Sequence, residues 1–491
     1  METINKFSSI QNPNPSFSIP SNPKSLPSHS HFKSLTPLKS LKWKNITFRS
    51  RTRNFNSIST NFSLNPIISS SSPYLEYDIL IIGAGIIGLT IARQFLMESD
   101  LSVAIIDASV PCASGATGAG QGYIWMAGKT PGTDTWELGI RGKKLWEDLA
   151  MSIEDQGLNP LHELGWKKTG SLLIGRTSEE ISMLKNNVRL YCEAGVNAEF
   201  LSREELVLKE PLVDVEEDGG AAFLPDDCQI DAQLAVAFIQ KENRGYGSRY
   251  VEFFNDPVID VLRSSGSGEI EGVRMTKNSL YCKKAVVVAA GSWSGSLIQN
   301  IVEKFDVVVD VPVKPRKGHL LVIENFSSVM LNHGLMEVGY MDHKVAKPSD
   351  SGEVDYAHTM SISMTATLDA VGNLVLGSSR QFSGFDTEVD ESIIDQIWKR
   401  ASDFLPILRQ ISLEDLSKDR KVRVGLRPYM PDGKPIICPV PGVPKVLLAA
   451  GHEGVGLTLA FGTAEMVFDM VFGNPAKINY APFSFDGRGS K

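Results

Sequence analysis

Cysteine is scarce in this chain. Five cysteines are spread over 491 residues, and no two of them form a C-x-x-C pair (Cys112, Cys192, Cys228, Cys282, Cys438). A disulfide framework or a structural zinc site needs paired, closely spaced cysteines, so the sequence argues against both. Each cysteine is most simply a small buried or half-buried side chain.

Long apolar runs and a positive net charge are missing as well. No apolar run approaches the roughly 20 residues of a membrane-spanning helix, so we expect no span. The formal net charge of −8 gives no indication of a nucleic-acid partner. The composition, 42% hydrophobic and 22% charged, is that of a globular protein with a sizeable core.

Acidic residues are nearly absent from the N-terminal segment. Residues 1–75 contain nine lysines or arginines but a single acid, Glu2, and they are rich in serine, asparagine and proline. This composition is typical of an organellar transit peptide, and the serine and proline content favours a plastid. We therefore expect residues 1–72 to be a disordered transit peptide and the protein to reside in the chloroplast stroma. An attached disordered arm is the alternative.

A dinucleotide-binding βαβ pattern begins directly after this segment. Asp78 to Ile82 form a β-branched apolar run that predicts a buried parallel strand. Gly83, Gly85 and Gly88 then follow the G-x-G-x-x-G spacing and open a stretch with apolar residues at helical spacing. A second predicted strand ends at Asp107, about 20 residues further on.

Each part of this pattern has a mechanical role. Gly83 allows a tight turn, Gly85 lets a pyrophosphate approach the backbone, and Gly88 lets the helix lie close to the sheet. The N–H groups and the dipole at the helix N-terminus favour phosphate, and Asp107 is placed to accept ribose hydroxyls. A tight strand-to-helix turn without a ligand is the alternative.

Three further glycine-rich segments follow predicted strands. The small-residue loop 113–122 comes directly after the ribose-binding acid and offers a second backbone surface, unless it is a plain flexible loop. Residues 285–294 predict a buried strand that ends in a glycine turn. Residues 451–456 open a long predicted helix, Leu457 to Phe472, and place another helix N-terminus near an anionic centre. Between these segments, Val311 to Ile323 is predicted as strand–turn–strand.

Taken together, the chain resembles the FAD-dependent D-amino-acid oxidase superfamily, closest to the glycine oxidase and sarcosine oxidase group, as a plant plastid-type member. The resemblance extends from about Tyr77 to Gly473 and depends on the order of several motifs. Those motifs are residues 77–107, the loop 114–122, Ala289-Ala-Gly-Ser-Trp293, Gly425-Leu-Arg-Pro428, Pro431-Asp-Gly433 and the turn 451–456.

The resemblance implies an α/β protein (α+β overall). A Rossmann-like FAD-binding domain would be assembled from discontinuous segments, and a mixed or antiparallel sheet would form the substrate domain over the flavin ring. The implied ranges are 73–135, 225–305 and 420–476 for the FAD-binding domain, 136–224 and 306–419 for the substrate domain, and 477–491 for a C-terminal tail.

FAD is the cofactor that the resemblance implies. Asp107 would hold the adenosine ribose and the backbone near Val258 the adenine. The full implied cofactor-binding set is Gly83, Ala84, Gly85, Ile86, Ile87, Gly88, Asp107, Ala108, Ser114, Gly115, Gly120, Gln121, Gly122, Val258, Ala290, Gly291, Trp293, Gly451, Gly454, Val455, Gly456 and Leu457.

Two residues are implied to be catalytic. Arg427 matches the arginine that pairs with the substrate carboxylate in glycine oxidase-like enzymes, and a planar guanidinium suits that task because it forms two parallel hydrogen bonds. A structural arginine before a proline turn is the alternative. His452 is a candidate donor to the flavin, and a packed, satisfied histidine is the alternative.

The chain departs from the family pattern at two places. Sarcosine oxidases attach flavin through a cysteine just before the segment that matches Pro431-Asp432, and no cysteine stands there, so we expect non-covalent FAD. Glu453 is acidic where glycine oxidases have bulkier or basic residues, which argues against glycine as the substrate.

The leading hypothesis is an FAD enzyme that oxidises a C–N bond of an amino acid or secondary amine, with oxygen as the electron acceptor. A 2-hydroxy-acid dehydrogenase is the first alternative, and it needs a base such as His319 or His452. A non-catalytic flavin-holding protein is the second. The expected partner is a small amine, amino acid or related carboxylate, bound in a pocket built from residues 136–224 and 306–419.

Overall fold

A computed structural model describes residues 75–111, 115–326, 330–342, 360–486 and 488. The predicted transit peptide and Ser114 lie outside the described residues. The described residues group into one compact unit.

The described residues form both strands and helices. The strands are β1 (Leu75–Ile82), β2 (Val103–Ile106), β3 (Tyr123–Ile124), β4 (Ser171–Gly175), β5 (Glu199–Ser202), β6 (Gly220–Leu224), β7 (Cys228–Gln229), β8 (Tyr250–Phe253), β9 (Val258–Arg263), β10 (Ile270–Met275), β11 (Ser279–Val288), β12 (Lys314–Ile323), β13 (Gly334–Glu337), β14 (Ser361–Leu368), β15 (Leu374–Arg380), β16 (Arg420–Tyr429), β17 (Ile436–Pro439) and β18 (Val446–Ala450). The helices are α1 (Ile86–Glu98), α2 (Asp134–Asp155), α3 (Pro160–Leu164), α4 (Ser178–Glu193), α5 (Arg203–Lys209), α6 (Ala232–Arg244), α7 (Ser294–Val302), α8 (Gly339–Asp342), α9 (Glu391–Phe404) and α10 (Gly456–Phe472).

The first sheet has a parallel centre, as the βαβ pattern predicts. Its path runs β17-β18-β11-β1-β2-β8, and β10 and β9 extend from β11 as an antiparallel hairpin. The pairs from β18 to β8 are parallel. Apolar residues fill both faces, with α1, α2, α6 and α10 on one side and α7 on the other, which is the two-sided burial that a parallel sheet requires.

The second sheet is mixed, in agreement with the expected substrate domain. Its order is β16-β12-β15-β14-β13-β4-β6-β5, and its pairs are antiparallel except for β13 with β4. The amphipathic α9 packs its apolar side against it.

The strand β16 belongs to this second sheet, although residues 420–476 were assigned to the FAD-binding domain. That assignment is therefore wrong for residues 420–429, since β16 pairs along its whole length with β12. The other domain ranges stay predictions.

One predicted element is wrong. Residues 311–323 were expected to form strand–turn–strand because Arg316-Lys-Gly-His319 looks like a turn. The structure instead has one continuous strand, β12, paired in uninterrupted register with β16. Gly318 does not form a turn but leaves space for the Arg427 side chain of the neighbouring strand.

Helix α10 is unusually apolar. Within the described part of the chain, Glu453–Phe472 is long and apolar enough to cross a membrane by length and composition alone. The sequence analysis overlooked this run. Most of the helix is buried, and it packs against α1 and α2, as the core helix of a globular domain does.

Candidate active site

A cleft of about 440 Å³ lies where the two sheets meet. On one side are the carboxyl ends of β1, β2, β11 and β18, the edge at which open parallel sheets bind ligands. On the other side are residues of β12, β15 and β16. The predicted residues that line this cleft are Gly83, Ala84, Gly85, Ile86, Ile87, Asp107, Ala108, Gly115, Gly120, Gln121, Gly122, Val258, Ala290, Gly291, Trp293, Arg427, His452, Gly454, Gly456 and Leu457.

Three predicted residues do not line the cleft, and Ser114 lies outside the described residues. Gly88 packs inside the turn, where an added Cβ would lie 1.9 Å from the Gly83 carbonyl oxygen, so its role is close packing. Gly451 and Val455 flank the lining residues of the second turn. These three positions shape the cleft without forming its wall.

The fingerprint turn has the geometry of a phosphate cradle. Gly83 has φ of 114°, and an added Cβ would lie 2.3 Å from the Ala289 carbonyl oxygen. Helix α1 has no acidic residue in its first turn and no side-chain cap from Gly85. The positive end of the helix therefore faces the cleft with no negative charge of its own to oppose a phosphate.

Asp107 is held at the end of β2. One carboxylate oxygen accepts the Ala84 N–H at 2.7 Å, and the other accepts the Ser109 N–H at 2.8 Å. A carboxylate has about four acceptor positions, so ribose hydroxyls still find acceptors on it. The acid thus joins the fingerprint turn to the predicted ribose site.

The loop after β2 closes over the fingerprint turn. Thr117 accepts the Ile86 N–H at 3.2 Å, and Gly115 forms a parallel bridge with Leu426 of β16. The side chain of Gln121 turns away to the second sheet, where its amide donates to the Val375 carbonyl at 3.0 Å. The sequence analysis missed Thr117, although a hydroxyl in a glycine-rich loop beside a helix N-terminus is a recognisable signal.

Arg427 is half-buried and points into the cleft from β16. Its Nη1 donates to the Ser379 carbonyl oxygen at 2.9 Å. The guanidinium lies over Gly318 of β12, where an added Cβ would be 2.1 Å from Nη1. Gly318 therefore provides the space for this side chain. No carboxylate of a described residue forms an ion pair with Arg427, which leaves its remaining donors directed at the cleft.

Other charged side chains surround Arg427. Arg316 on β12 forms an ion pair with Glu453 at 3.3 Å. Arg380 at the end of β15 is buried and stacks over the Tyr340 ring at 3.9 Å. Burial opposes the ionisation of Glu453, but Arg427, Arg316 and Arg380 outweigh it and hold the pKa of this carboxyl below its usual value. The sequence analysis did not find this cluster.

The two candidate histidines differ in their access to the cleft. His452 lines it, and its Nε2 lies 3.0 Å from the Thr463 hydroxyl. Burial lowers the pKa of His452 to about 3, so the ring is neutral near pH 7. His319 is fully buried, with Nδ1 bonded to the Ser379 hydroxyl and Nε2 accepting the Asp390 N–H. It is not among the lining residues.

The substrate side of the cleft is narrower than expected. The lining residues from the second sheet and α8 are Gly318, Leu320, Tyr340, Ser378, Gly425, Leu426, Arg427 and Pro428. No described residue of 136–224 lines this cleft. The strands of this segment, β4, β5 and β6, lie at the far end of the sheet from β12 and β16.

These residues fit FAD. The cradle at α1, the acid at the end of β2 and Val258 beside them form one continuous wall with the second glycine-rich turn. No cysteine is among the described lining residues. The group would be held by backbone N–H groups at one end and by the turn of residues 452–456 at the other.

The comparisons with known proteins agree with this site. The family model "DAO: FAD dependent oxidoreductase" matches residues 78–470. The hydrogen cyanide synthase subunit HcnC of Pseudomonas aeruginosa is 24% identical over 443 residues, which is 83% of this chain and 95% of that protein. A glycine oxidase of Bacillus licheniformis is 25% identical over 410 residues, covering 82% and 95%.

Solved structures share the fold. The glycine oxidase from Geobacillus kaustophilus superposes with a TM-score of 0.69 at 20% identity, covering 85% of this chain and 100% of that chain. The L-proline dehydrogenase from P. horikoshii gives a TM-score of 0.68 at 19% identity, covering 84% and 98%. At this identity the likeness shows the architecture alone.

Proposed function

The chain belongs to the DAO family of FAD-dependent oxidoreductases, and from this premise we propose that it oxidises the C–N bond of an amino acid or secondary amine that carries a carboxylate, with oxygen as the final electron acceptor. The bound flavin supplies the hydride acceptor for this chemistry. The carbon gives up a hydride, the nitrogen lone pair forms the C=N bond, and water then hydrolyses the imine.

The observation that carries this proposal is the placement of Arg427. Its guanidinium is oriented by the Ser379 carbonyl and has room over Gly318, so it presents donors to the cleft. Two parallel N–H···O bonds fix a carboxylate in position and direction. The carbon next to the carboxylate is then held in one place, which is the main contribution a protein makes to hydride transfer.

The residues around Arg427 favour amine oxidation over the oxidation of a 2-hydroxy acid. A hydroxyl needs a base to take its proton as the hydride leaves, whereas a neutral amine supplies its own lone pair. His319 is buried away from the cleft with both ring nitrogens bonded. His452 shares its Nε2 with Thr463 and resists protonation because it is buried. Neither histidine is a good base.

The proposal is tested by anaerobic reduction of the purified, FAD-loaded protein. Amino acids, N-methyl amino acids, L-proline and 2-hydroxy acids are added in turn, and bleaching of the flavin band is followed. We expect an amine to bleach it and Arg427→Ala to lower kcat/KM roughly 100-fold, because two charge-assisted hydrogen bonds are lost. Gly318→Ala should also lower it, since the methyl group displaces the guanidinium.

The control is Arg189→Ala, which removes an exposed arginine on α4 and should leave the rate unchanged. Bleaching by 2-hydroxy acids alone would move the assignment to the first alternative, and FAD that no compound reduces would move it to a flavin-holding protein. Peroxide formation in air would support oxygen as the acceptor. Reoxidation by a quinone or dye alone would contradict it.

We also propose plastid import, on the basis of the composition of residues 1–72. A fusion of residues 1–72 to a fluorescent protein should enter chloroplasts and be cleaved near the fusion point. A fusion that stays in the cytosol would contradict this.

A further inference from the structure

Glu453 occupies an unusual backbone position in the cleft. It begins a short 3₁₀ turn, Glu453–Val455, between β18 and α10, and its φ is 45°. This left-handed region is uncommon for residues other than glycine, and such conformations persist where the surroundings hold them. Its neighbours in the turn are glycines, Val455 and the neutral His452, so the single charge of the turn is this carboxylate.

The carboxylate is fixed by contacts on two sides. Its Oε1 is 3.3 Å from Arg316 Nη1, and its Oε2 accepts the N–H of Gly454. The side chain remains about one-fifth exposed, and Glu453 lines the cleft. A residue whose only role was to neutralise Arg316 would not need to face the cleft.

The turn lies directly beside Arg427. An added Cβ at Gly454 would be 3.9 Å from Arg427 Cδ and 3.5 Å from the Tyr340 hydroxyl. A ligand whose carboxylate binds Arg427 therefore has its next atoms close to the Glu453 turn. The cleft thus offers a positive and a negative group side by side, which is the charge pattern of an amino-acid zwitterion.

We propose that Glu453 binds the ammonium group of the substrate while Arg427 binds its carboxylate, so that the cleft selects zwitterionic amino acids over carboxylates that lack a basic nitrogen. This inference rests on the proposed function and specifies its substrate class. It makes Glu453 a specificity-determining residue at the same site.

A negative charge beside the bound ammonium has a consequence for pH dependence. The nitrogen must lose its proton to water before the hydride can leave, and Glu453 raises the pKa of the bound ammonium. The other charged or titratable groups that face Glu453 are Arg316 on β12, Arg380 on β15, Arg427 on β16 and Tyr340 on α8, with neutral His452 on its own turn. The three arginines act in the opposite direction and keep proton loss feasible.

The test compares amines with ethers of the same shape on FAD-loaded protein at pH 7.5. The pairs are sarcosine with methoxyacetate and L-proline with tetrahydrofuran-2-carboxylate. Binding is read from the perturbation of the flavin spectrum, and from the concentration dependence of flavin reduction where an amine reduces it. The variants are Glu453→Gln, which keeps the shape, and Glu453→Asp, which keeps the charge.

We expect the better-bound amine to bind at least tenfold more tightly than its ether in the unchanged protein. In Glu453→Gln the ratio should fall below threefold, and Glu453→Asp should retain most of it. The rising limb of kcat against pH should move to lower pH in Glu453→Gln. Glu414→Gln, which removes an exposed carboxylate elsewhere, should change neither quantity.

An unchanged amine-to-ether ratio in Glu453→Gln, or equal binding of amine and ether in the unchanged protein, would overturn the inference. Because the perturbation of the flavin spectrum reports binding even where no reduction follows, this result is separate from the test of the proposed function. A protein that binds amines selectively but is never reduced would contradict the proposed function and leave the assignment of Glu453 standing.

Discussion

The two glycine-rich turns at opposite ends of the chain share one local architecture and differ in what they carry. Each connects a central parallel strand to a buried helix, β1 to α1 and β18 to α10. The first has no charged side chain between strand and helix, and its acid stands on the neighbouring strand as Asp107. The second places His452 and Glu453 inside the turn itself. The two turns therefore share a helix-terminus geometry. The turn before α1 offers backbone N–H groups to a ligand, whereas the turn before α10 also offers side chains.

Tight packing also separates the two turns. A Cβ at Gly88 would meet a backbone oxygen at 1.9 Å, whereas a Cβ at Gly454 would meet nothing closer than 3.5 Å. At Gly88 there is no space for any side chain, so close packing of the backbone determines the residue. The second turn has space at Gly454, although a Cβ at Gly451 would lie 2.4 Å from Met430 Cγ.

The largest expected effect comes from adding the same methyl group to both turns. Gly88→Ala should destabilise the protein by about 3 kcal/mol or more and abolish FAD binding, because rigid backbone must move. Gly454→Ala should keep both the fold and the FAD. Thermal unfolding and the flavin content of the purified protein measure this, with Gly266→Ala, at a site open to solvent, as the control. Equal losses of stability and of FAD in Gly88→Ala and Gly454→Ala would contradict the proposed difference in packing between the two turns.

A second prediction concerns the buried histidine of the C-terminal turn. Its pKa is about 3 in the folded protein and about 6.5 when unfolded, so the unfolded chain binds the extra proton between these values. The free energy of unfolding should therefore fall by about 2 kcal/mol from pH 7.5 to pH 5 through this residue alone. Denaturant titrations of His452→Gln, which retains a hydrogen-bonding group near Thr463, should show a flatter pH dependence. An identical slope would contradict the assignment.

The smallest expected effect lies at the first turn's acid. Asp107→Asn keeps one acceptor oxygen but loses the charge, so FAD affinity should fall by about tenfold while the fold is retained. Titration of the apoprotein with FAD measures this, and Asp155→Asn on the exposed end of α2 is the control. Unchanged FAD affinity would mean that the N-terminal turn holds its ligand through backbone groups alone.

The structure could be predicted best where one contiguous stretch of sequence contains the whole structural signal. Strand, glycine spacing, helix and acid are contiguous from Tyr77 to Asp107, and the structure has β1, α1 and β2 in that order there. The Arg316, Arg380 and Glu453 cluster was missed because its members come from three separate elements, β12, β15 and the second turn. Their proximity depends on sheet pairing over long sequence separations, which no local pattern encodes.

Gly318 shows how a local pattern misleads. A glycine between charged residues predicts a turn, yet Gly318 lies in the continuous strand β12. A glycine is required there because the guanidinium of Arg427, on the neighbouring strand β16, occupies the space that a side chain would fill. The strand order likewise explains why residues 136–224 do not line the cleft. Their strands β4, β5 and β6 belong to the second sheet, at the end remote from the cleft, whereas α2 packs on the first sheet against α10.

The packing of α10 against α1 sets an order of events during synthesis. Helix α1 meets its partner α10 only when the last part of the chain has been made, and β18 then completes the parallel centre of the first sheet beside β11. The flavin cleft therefore cannot assemble on a growing chain. A translation product that stops before residue 446 would expose the apolar side of α1 and would lack the complete cleft. We expect such a product to be degraded by quality-control proteases.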